Sequence, residues 1–232
     1  MQSDIVKTQE EIELMLRAAQ IIDDTYDAVL ENVKEGVSEK ELADFIEKHV
    51  LAQGAQGLSF DTIVAFGENG AEPHHVPTDK RLENGMFVTI DMGAVYKGYC
   101  SDFTRTFALG IINEKQREVY DTVYRAQKLG IAAVKEGVCC KDVDLAARAY
   151  IEEKGYGDKF IHTTGHGVGA QVHEQPRLGK DSDGVLEKNT VVTVEPGIYI
   201  QGEMGVRIED MVIVGKNLPL SRHATELIVI NG

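Results

Sequence analysis

The sequence predicts an α+β fold in which one helix-helix-sheet unit occurs twice within a single domain spanning residues 1–232. Three observations carry that expectation. Capping-box signatures precede helically spaced apolar residues, β-branched and aromatic residues follow them, and the same segments return in the same order about 100 residues later. With 43% hydrophobic and 27% charged residues, a chain of this length can bury a substantial core, which excludes disorder and a minimal scaffold.

Thr8 and Glu11 form the first Thr-x-x-Glu box, ahead of Ile12, Met15, Leu16, Ala19, Ile22, Tyr26, Val29, Leu30 and Val33 at helical spacing. That pattern predicts a long amphipathic helix ending at Gly36. Ser38 and Glu41 form the second box, and Leu42, Phe45, Ile46 and Val50 give the stripe of a second helix that stops near Gly54. From 58 to 109 the chain becomes β-branched and aromatic, as in Phe87-Val88-Thr89-Ile90 and Phe103-Thr104-Arg105-Thr106-Phe107, so strands follow the helical hairpin.

Asn113 and Gln116 then cap a third helix carrying Val119, Val123, Ala126, Leu129, Ala133 and Val134. It closes on Val134-Lys135-Glu136-Gly137-Val138, the pentapeptide found 101 residues earlier at Val33-Lys34-Glu35-Gly36-Val37. At that offset Cys139 takes the place of Ser38, Asp142 that of Glu41 and Val143 that of Leu42, which predicts a second capped helix running to Lys154. Further on, Leu82-Glu83-Asn84-Gly85-Met86-Phe87-Val88-Thr89-Ile90-Asp91 is echoed by Leu186-Glu187-Lys188-Asn189-Thr190-Val191-Val192-Thr193-Val194-Glu195 at an offset of 104. The expected halves are about 8–110 and 113–232, pseudosymmetric, with strands on one side and helices covering them; no Pro/Gly/Ser-rich linker divides them.

Acidic residues number 38 against 24 Lys plus Arg, a formal charge of −14, and no basic run occurs, so no nucleic-acid or anionic-membrane surface is expected. The polar, acidic start from 1 to 11 reads as neither signal nor transit peptide, and no apolar run approaches membrane-spanning length. Cys100, Cys139 and Cys140 are odd in number, with two adjacent, and make no disulfide framework. A cytoplasmic protein fits best.

The duplicated strand ends in a carboxylate both times, Asp91 and Glu195, and a second carboxylate follows in each copy, Asp102 and Glu209. Each pair could face its fellow across an antiparallel hairpin. Four carboxylates converging inside a domain repel and lose hydration, and divalent metal resolves both costs. Thr164-Gly165-His166-Gly167-Val168-Gly169 adds one imidazole among small residues. Four carboxylates and His166 suit two adjacent first-row divalent ions better than one tetrahedral zinc. Taken singly, an Asp after a strand is usually a turn former and Gly-x-Gly a loop; the pseudosymmetric set is what points to a site. A dinucleotide loop is not supported, because neither the glycine spacing nor a strand-loop-helix unit is present.

Ala71-Glu72-Pro73-His74, Asp91-Met92-Gly93, Tyr99-Cys100-Ser101-Asp102-Phe103-Thr104-Arg105-Thr106, His162-x-x-Gly165-His166-Gly167-Val168-Gly169, His173-Glu174-x-Pro176, Glu195-Pro196-Gly197-Ile198-Tyr199 and Gly205-Val206-Arg207-Ile208-Glu209-Asp210 cover essentially the whole chain. This motif series resembles that of the pita-bread metallopeptidases, and within them the Xaa-Pro aminopeptidase and prolidase branch. The resemblance implies a pita-bread fold and a dinuclear metal-dependent exopeptidase that hydrolyses the bond between an N-terminal residue and a following proline, in dipeptides or longer peptides. Two alternatives stand beside it, a methionine aminopeptidase and a catalytically silent homologue that binds peptides in the same cleft. Xaa-Pro peptidases generally carry a further N-terminal domain, whereas here the first helix begins almost at Met1, so the resemblance is to the catalytic half alone. Substrate length and assembly stay open, a homodimer among the options.

By matching position, the resemblance implies that Asp91, Asp102, His166, Glu195 and Glu209 bind two metal ions, most often manganese or cobalt in this branch, with zinc and iron as further candidates. Glu195 would also be the general base, His173 would stabilise the oxyanion, and His74 would contact the scissile amide or its leaving nitrogen. His162 and Tyr199 are implied as substrate-side groups, and Arg207 as the arginine that supports the ligand carboxylates. His75 should point away from His74 in an extended segment, and His49 and His223 read as structural or solvated.

Overall fold

The computed structural model describes residues 4–216 and 218–231; residues 1–3 of the polar start, Asn217 and Gly232 lie outside them. The helices are α1 (Gln9–Asn32), α2 (Glu39–Ala52), α3 (Glu114–Ala133) and α4 (Cys140–Glu153). The first half holds strands β1 (Gly57–Leu58), β2 (Ile63–Phe66), β3 (Phe87–Met92), β4 (Ala94–Tyr96), β5 (Tyr99–Cys100) and β6 (Phe103–Leu109). The second holds β7 (Gly165–Gly167), β8 (Glu174–Leu178), β9 (Val191–Val194), β10 (Gly197–Ile200), β11 (Met204–Arg207), β12 (Asp210–Ile213) and β13 (Val229–Ile230). Among the described residues no helix is long and apolar enough to cross a membrane.

The capping boxes Thr8/Glu11, Ser38/Glu41 and Asn113/Gln116 are all formed reciprocally, each side chain taking the partner's backbone N–H. The fourth expected cap is not formed. Cys139 makes no capping hydrogen bond; its thiol lies 3.6 Å from the Ser182 carbonyl, and sulfur accepts weakly. The start of α4 is instead tied down by Cys140 N–H to Gly184 O at 2.7 Å and Lys141 N–H to Ser182 O at 3.0 Å. Helix α1 also ends earlier than Gly36, at Asn32, because Val33 is extended and the Gly36 N–H donates to Leu82 O rather than to a helical carbonyl.

Two four-stranded sheets follow the order β13-β6-β3-β2 and β12-β9-β7-β8. The antiparallel triplets β2-β3-β6 and β7-β9-β12 are equivalent by position in each half. The loops repeat as well: Gly36 N–H to Leu82 O and Gly137 N–H to Leu186 O are both 2.8 Å. Tyr26 and Val29 of α1 and Leu42 and Ile46 of α2 pack on Val64, Val88, Ile90 and Phe107, forming the core of the first half. Val143 of α4 packs on Val192, Val194 and Val212, while Val119, Val123 and Ala147 of α3 and α4 meet Ile198 and Val206. Strand β3 is almost wholly buried along its length, which explains its unbroken β-branched run. The two helix-covered sheets leave a cleft where the strand ends meet.

Candidate active site

The cleft encloses about 600 Å³ and is lined by His74, Asp91, Asp102, His162, His166, His173, Glu195, Arg207 and Glu209, with Phe60, Ile63 and Pro73 as apolar walls. Hairpin register explains why the carboxylates arrive together. In the second half, Val194 pairs with Asp210 and Gly197 with Arg207, which sets Glu195 opposite Glu209. In the first half the expected direct pairing does not occur. Asp91 pairs with Thr104 and Met92 with Phe103, so Asp102 lies opposite Gly93, two positions from Asp91 and on the same face. Gly93 has no room for a side chain: a Cβ there would come within 2.0 Å of Ser59 Oγ and 2.2 Å of the Ser101 carbonyl.

His166 projects from the narrow strand β7. A Cβ at Gly165 would meet the Thr193 carbonyl at 2.0 Å, and one at Gly167 the Gln175 carbonyl at 2.2 Å, so glycine on both sides lets β7 slot between β9 and β8. His166 Nδ1 lies 3.0 Å from the Gly167 carbonyl, to which it donates, and Nε2 turns to Glu195 Oε1 at 3.2 Å and Asp102 Oδ2 at 3.6 Å. Asp102, His166 and Glu209 each offer a ligand atom within 4.8 Å of the others. Asp91 and Glu195 line the same cleft with other partners. Asp91 Oδ2 accepts from Arg207 Nη2 at 2.7 Å, and Glu195 Oε1 accepts from Thr193 Oγ1 at 2.9 Å.

This set fits divalent cations on its own chemistry. Burial first, and then mutual repulsion with Glu195 and Asp91, pushes the Asp102 and Glu209 carboxyls well above the usual range, Asp102 being repelled by Glu209 too. Burial also raises Asp91, against the opposing pull of Arg207. Glu195 is buried as well, yet the hydrogen bond and charge of His166 bring it down to about 2. Glu209 Oε1 and Asp91 Oδ1 are buried with no hydrogen-bond partner among the described residues, and such oxygens ask for a cation.

A directed hydrogen-bond chain runs behind Asp91. Arg207 Nη1 donates to Tyr199 Oη at 3.0 Å, and Tyr199 Oη lies 2.8 Å from His162 Nε2. Burial lifts the Tyr199 phenol to about 12 and lowers His162, so the phenol stays protonated and donates to a neutral imidazole, whose Nδ1–H donates to the Thr163 carbonyl at 2.8 Å. Tyr199 is buried and fully engaged, which places it behind the cleft wall rather than on the substrate side. Its partner His162 does line the cleft.

His74 and His173 are both exposed, whereas His75 is buried; the two neighbours part at a turn closed by His75 N–H to Glu72 O at 3.2 Å, not in the extended segment the sequence suggested. The His173 ring stands 4.3 Å from that of His166. Burial and the neighbouring His166 and His74 hold His173 below the ordinary histidine value, hence neutral near pH 7. Its neighbour Glu174 is fixed by Lys7, Nζ to Oε2 at 3.0 Å, with both side chains almost wholly buried. His49 meets Thr25 Oγ1 at 3.0 Å and His223 meets the Asp23 carbonyl at 3.0 Å, both remote from the cleft lining.

Arg177 escaped the motif reading. It is exposed in the cleft wall directly across from His166, and no carboxylate pairs with it among the described residues. Its position in β8, four residues after His173, was the one signal the sequence offered.

A duplicated α+β unit whose strand ends gather four carboxylates and an imidazole is the architecture of a pita-bread metallopeptidase. The profile of Metallopeptidase family M24 matches residues 13–216, and the chain belongs to that family. The Xaa-Pro dipeptidase of Pyrococcus furiosus is 48% identical over 213 residues, which is 92% of this chain and 61% of that protein. An Xaa-Pro dipeptidase structure from Bacillus anthracis superposes with a TM-score of 0.95 at 46% identity, covering 97% of this chain and 64% of that one. An X-Pro aminopeptidase structure from Thermotoga maritima gives 0.94 at 38% identity, covering 97% and 65%. The chain thus spans between 60 and 65% of the length of the curated relatives it matches.

Proposed function

We propose that this chain is a dinuclear metal-dependent peptidase domain that hydrolyses the bond between an N-terminal residue and a following proline, with Xaa-Pro dipeptides as its best substrates. The observation that carries this reading is the cluster of buried, mutually repelling carboxylates around His166, with two exposed imidazoles in the same cleft. Relatives named as Xaa-Pro dipeptidases support the proline preference. So do the apolar walls Phe60, Ile63 and Pro73, which suit a pyrrolidine ring.

Asp91, Asp102, His166, Glu195 and Glu209 would hold two divalent ions, manganese being the expected metal. Bound there, the ions supply an acidified water and polarisation of the scissile carbonyl. Glu195 is ionised at neutral pH and oriented by Thr193 Oγ1, so it accepts the proton of the attacking water and passes it on. His173, neutral, donates a ring N–H to the developing oxyanion. His74 contacts the scissile amide, whose proline nitrogen has no hydrogen of its own to give. Arg177, unpaired in the wall, would receive the C-terminal carboxylate of a dipeptide.

A manganese-loaded panel of an Xaa-Pro dipeptide, its C-terminal amide and a Met-Ala peptide tests the reading. The expected order is dipeptide first, then amide, with Met-Ala at least ~10-fold slower than the dipeptide, a difference of about 1.4 kcal/mol in transition-state binding. Fastest cleavage of Met-Ala would replace the proposal with a methionine aminopeptidase, and bound metal with no cleavage of any peptide would make the chain a silent binding module.

A further inference from the structure

Glu39 is the first residue of α2 and is completely buried. An acidic residue in the first turn ordinarily faces solvent and favours the helix dipole. Here the cap is already complete without it, since Ser38 and Glu41 satisfy each other. The Glu39 carboxylate turns instead into the segment 66–78 and gathers five donors. Oε1 accepts from Phe66 N–H at 2.8 Å and Asn69 Nδ2 at 2.9 Å; Oε2 accepts from His75 Nε2 at 2.9 Å, Thr78 N–H at 2.9 Å and Thr78 Oγ1 at 2.6 Å. His75 is braced on its other nitrogen, Nδ1 lying 3.0 Å from Glu72 Oε2.

The same segment is held from the opposite side by the second half. Gln201 Nε2 donates to the Ala71 carbonyl at 3.0 Å, and Arg207 Nη1 to the Pro73 carbonyl at 3.2 Å. Gly205 abuts Gly70 so closely that a Cβ on Gly205 would lie 1.7 Å from the Gly70 carbonyl oxygen. Between these two sets of anchors sits His74, exposed in the cleft and with no side-chain hydrogen bond of its own among the described residues. Its ring is therefore placed by what grips its neighbours. The duplication supplies a control, because 101 residues on, at the position equivalent to Glu39, stands Cys140, a buried core residue. The carboxylate occurs only in the half that carries the His74 segment.

We propose that Glu39 is a positioning residue for the reaction: through His75 and the backbone of 66–78 it fixes the segment that presents His74 to the scissile bond. The inference rests on the function proposed above, in which His74 contacts that bond. Displacing a reacting group by about 1 Å can cost on the order of 100-fold in rate, so a carboxylate outside the cleft can matter to turnover.

The test is a double-mutant cycle on the manganese-loaded chain with an Xaa-Pro dipeptide. Glu39→Gln and His75→Ala should each lower kcat by about 10- to 100-fold with metal stoichiometry unchanged and KM within about threefold. In the His74→Ala background the same substitutions should change kcat by less than about twofold, because their route runs through His74. Equal losses in both backgrounds, or no loss in the wild-type background, would overturn the proposal. Circular dichroism and cooperative urea unfolding establish that each variant folds, and His75→Ala decides the question should Glu39→Gln not fold. If the wild-type chain cleaves no Xaa-Pro peptide, the function fails while the positioning claim keeps its own readout. In ¹⁵N-histidine spectra of the metal-free chain, the His74 ring signals, assigned by their loss in His74→Ala, should shift and broaden in both variants; unmoved signals would sink the claim.

Discussion

The two hairpins that carry the carboxylates share a connectivity but not a register relation. In the first, Asp91 and Asp102 lie diagonally, separated by the side-chain-free Gly93; in the second, Glu195 and Glu209 lie directly opposite. Each half also neutralises the other's strand end in its own way. Arg207 of the second half bonds Asp91 of the first, while Thr104 of the first bonds Glu209 of the second, Oγ1 to Oε2 at 2.7 Å. A guanidinium brings full positive charge and a hydroxyl brings none. Asp91 therefore has a full positive charge bonded to it within the protein, whereas Glu209 has only a hydroxyl. Each hairpin thus carries one carboxylate with a close basic partner, Asp91 with Arg207 at 2.7 Å and Glu195 with His166 at 3.2 Å, and one pushed well above the usual range, Asp102 and Glu209.

The largest effect expected from breaking this division is on turnover. Glu195→Gln should lower kcat on an Xaa-Pro dipeptide by about 1,000-fold at saturating manganese, within the range for removing a general base. If Asp102→Asn at the same metal loading costs as much, Glu195 has no role beyond ligation. His173→Ala should follow, at about 100- to 1,000-fold, the usual loss for one oxyanion donor, with both metal ions still bound by calorimetric titration. Full activity in that variant would remove the oxyanion role.

Stability of the metal-free chain sharpens the comparison further. Asp91→Asn strands the buried Arg207 and should cost about 3 kcal/mol in urea unfolding. Glu209→Gln keeps an acceptor for Thr104 and removes a desolvated, repelled carboxyl, so it should be neutral or stabilising. Matching losses in the two variants would erase the distinction between Asp91 and Glu209.

The smallest effect lies away from the metal cluster, in Glu39 and His75. Burial lowers the His75 value, but the hydrogen bonds it donates to Glu72 and Glu39 outweigh it and the net shift is upward from 6.5. The stability it contributes is complete below about 6.5 and fades as pH rises through the raised folded value. For Glu39, burial raises the value, while Thr78, His75 and Phe66 donors outweigh it and bring it below 4.5. Its contribution is complete above about 4.5 and fades as pH falls through the lowered folded value. The difference in Tm between wild type and His75→Gln should therefore be greatest between about pH 4.5 and 6.5 and shrink on either side. A difference independent of pH would mean that His75 acts by packing alone.

Local signals made the fold legible, because helix starts depend on a few residues close in sequence. Thr8, Ser38 and Asn113 announced their helices correctly. Cys139 misled because a position inherited by duplication need not keep its hydrogen-bonding atom. The carboxylates stood out as repeated strand ends, but whether they lie opposite or diagonal depends on hairpin register, set here by a steric demand at Gly93 that only the third dimension reveals. Arg177 was hidden for another reason. An exposed arginine on a short strand reads as an ordinary solvent-facing residue until the strand is seen to wall a cleft. Glu39 looked like helix-terminal decoration, and its five donors come from residues 27 to 39 positions away.

The crossed bonds from Arg207 to Asp91 and from Thr104 to Glu209 also constrain how such a site can have arisen. Asp91 is echoed by Glu195 and Asp102 by Glu209, so a dyad of identical units would show each of these two bonds twice, whereas Cys100 stands where Arg207 would recur and Met211 where Thr104 would. Joining the copies in one chain lets one of each pair of bonds be lost, since each copy can then mutate alone. Each bond now occurs once, from one half to the other, so a half taken alone would lack a partner that its own carboxylate uses.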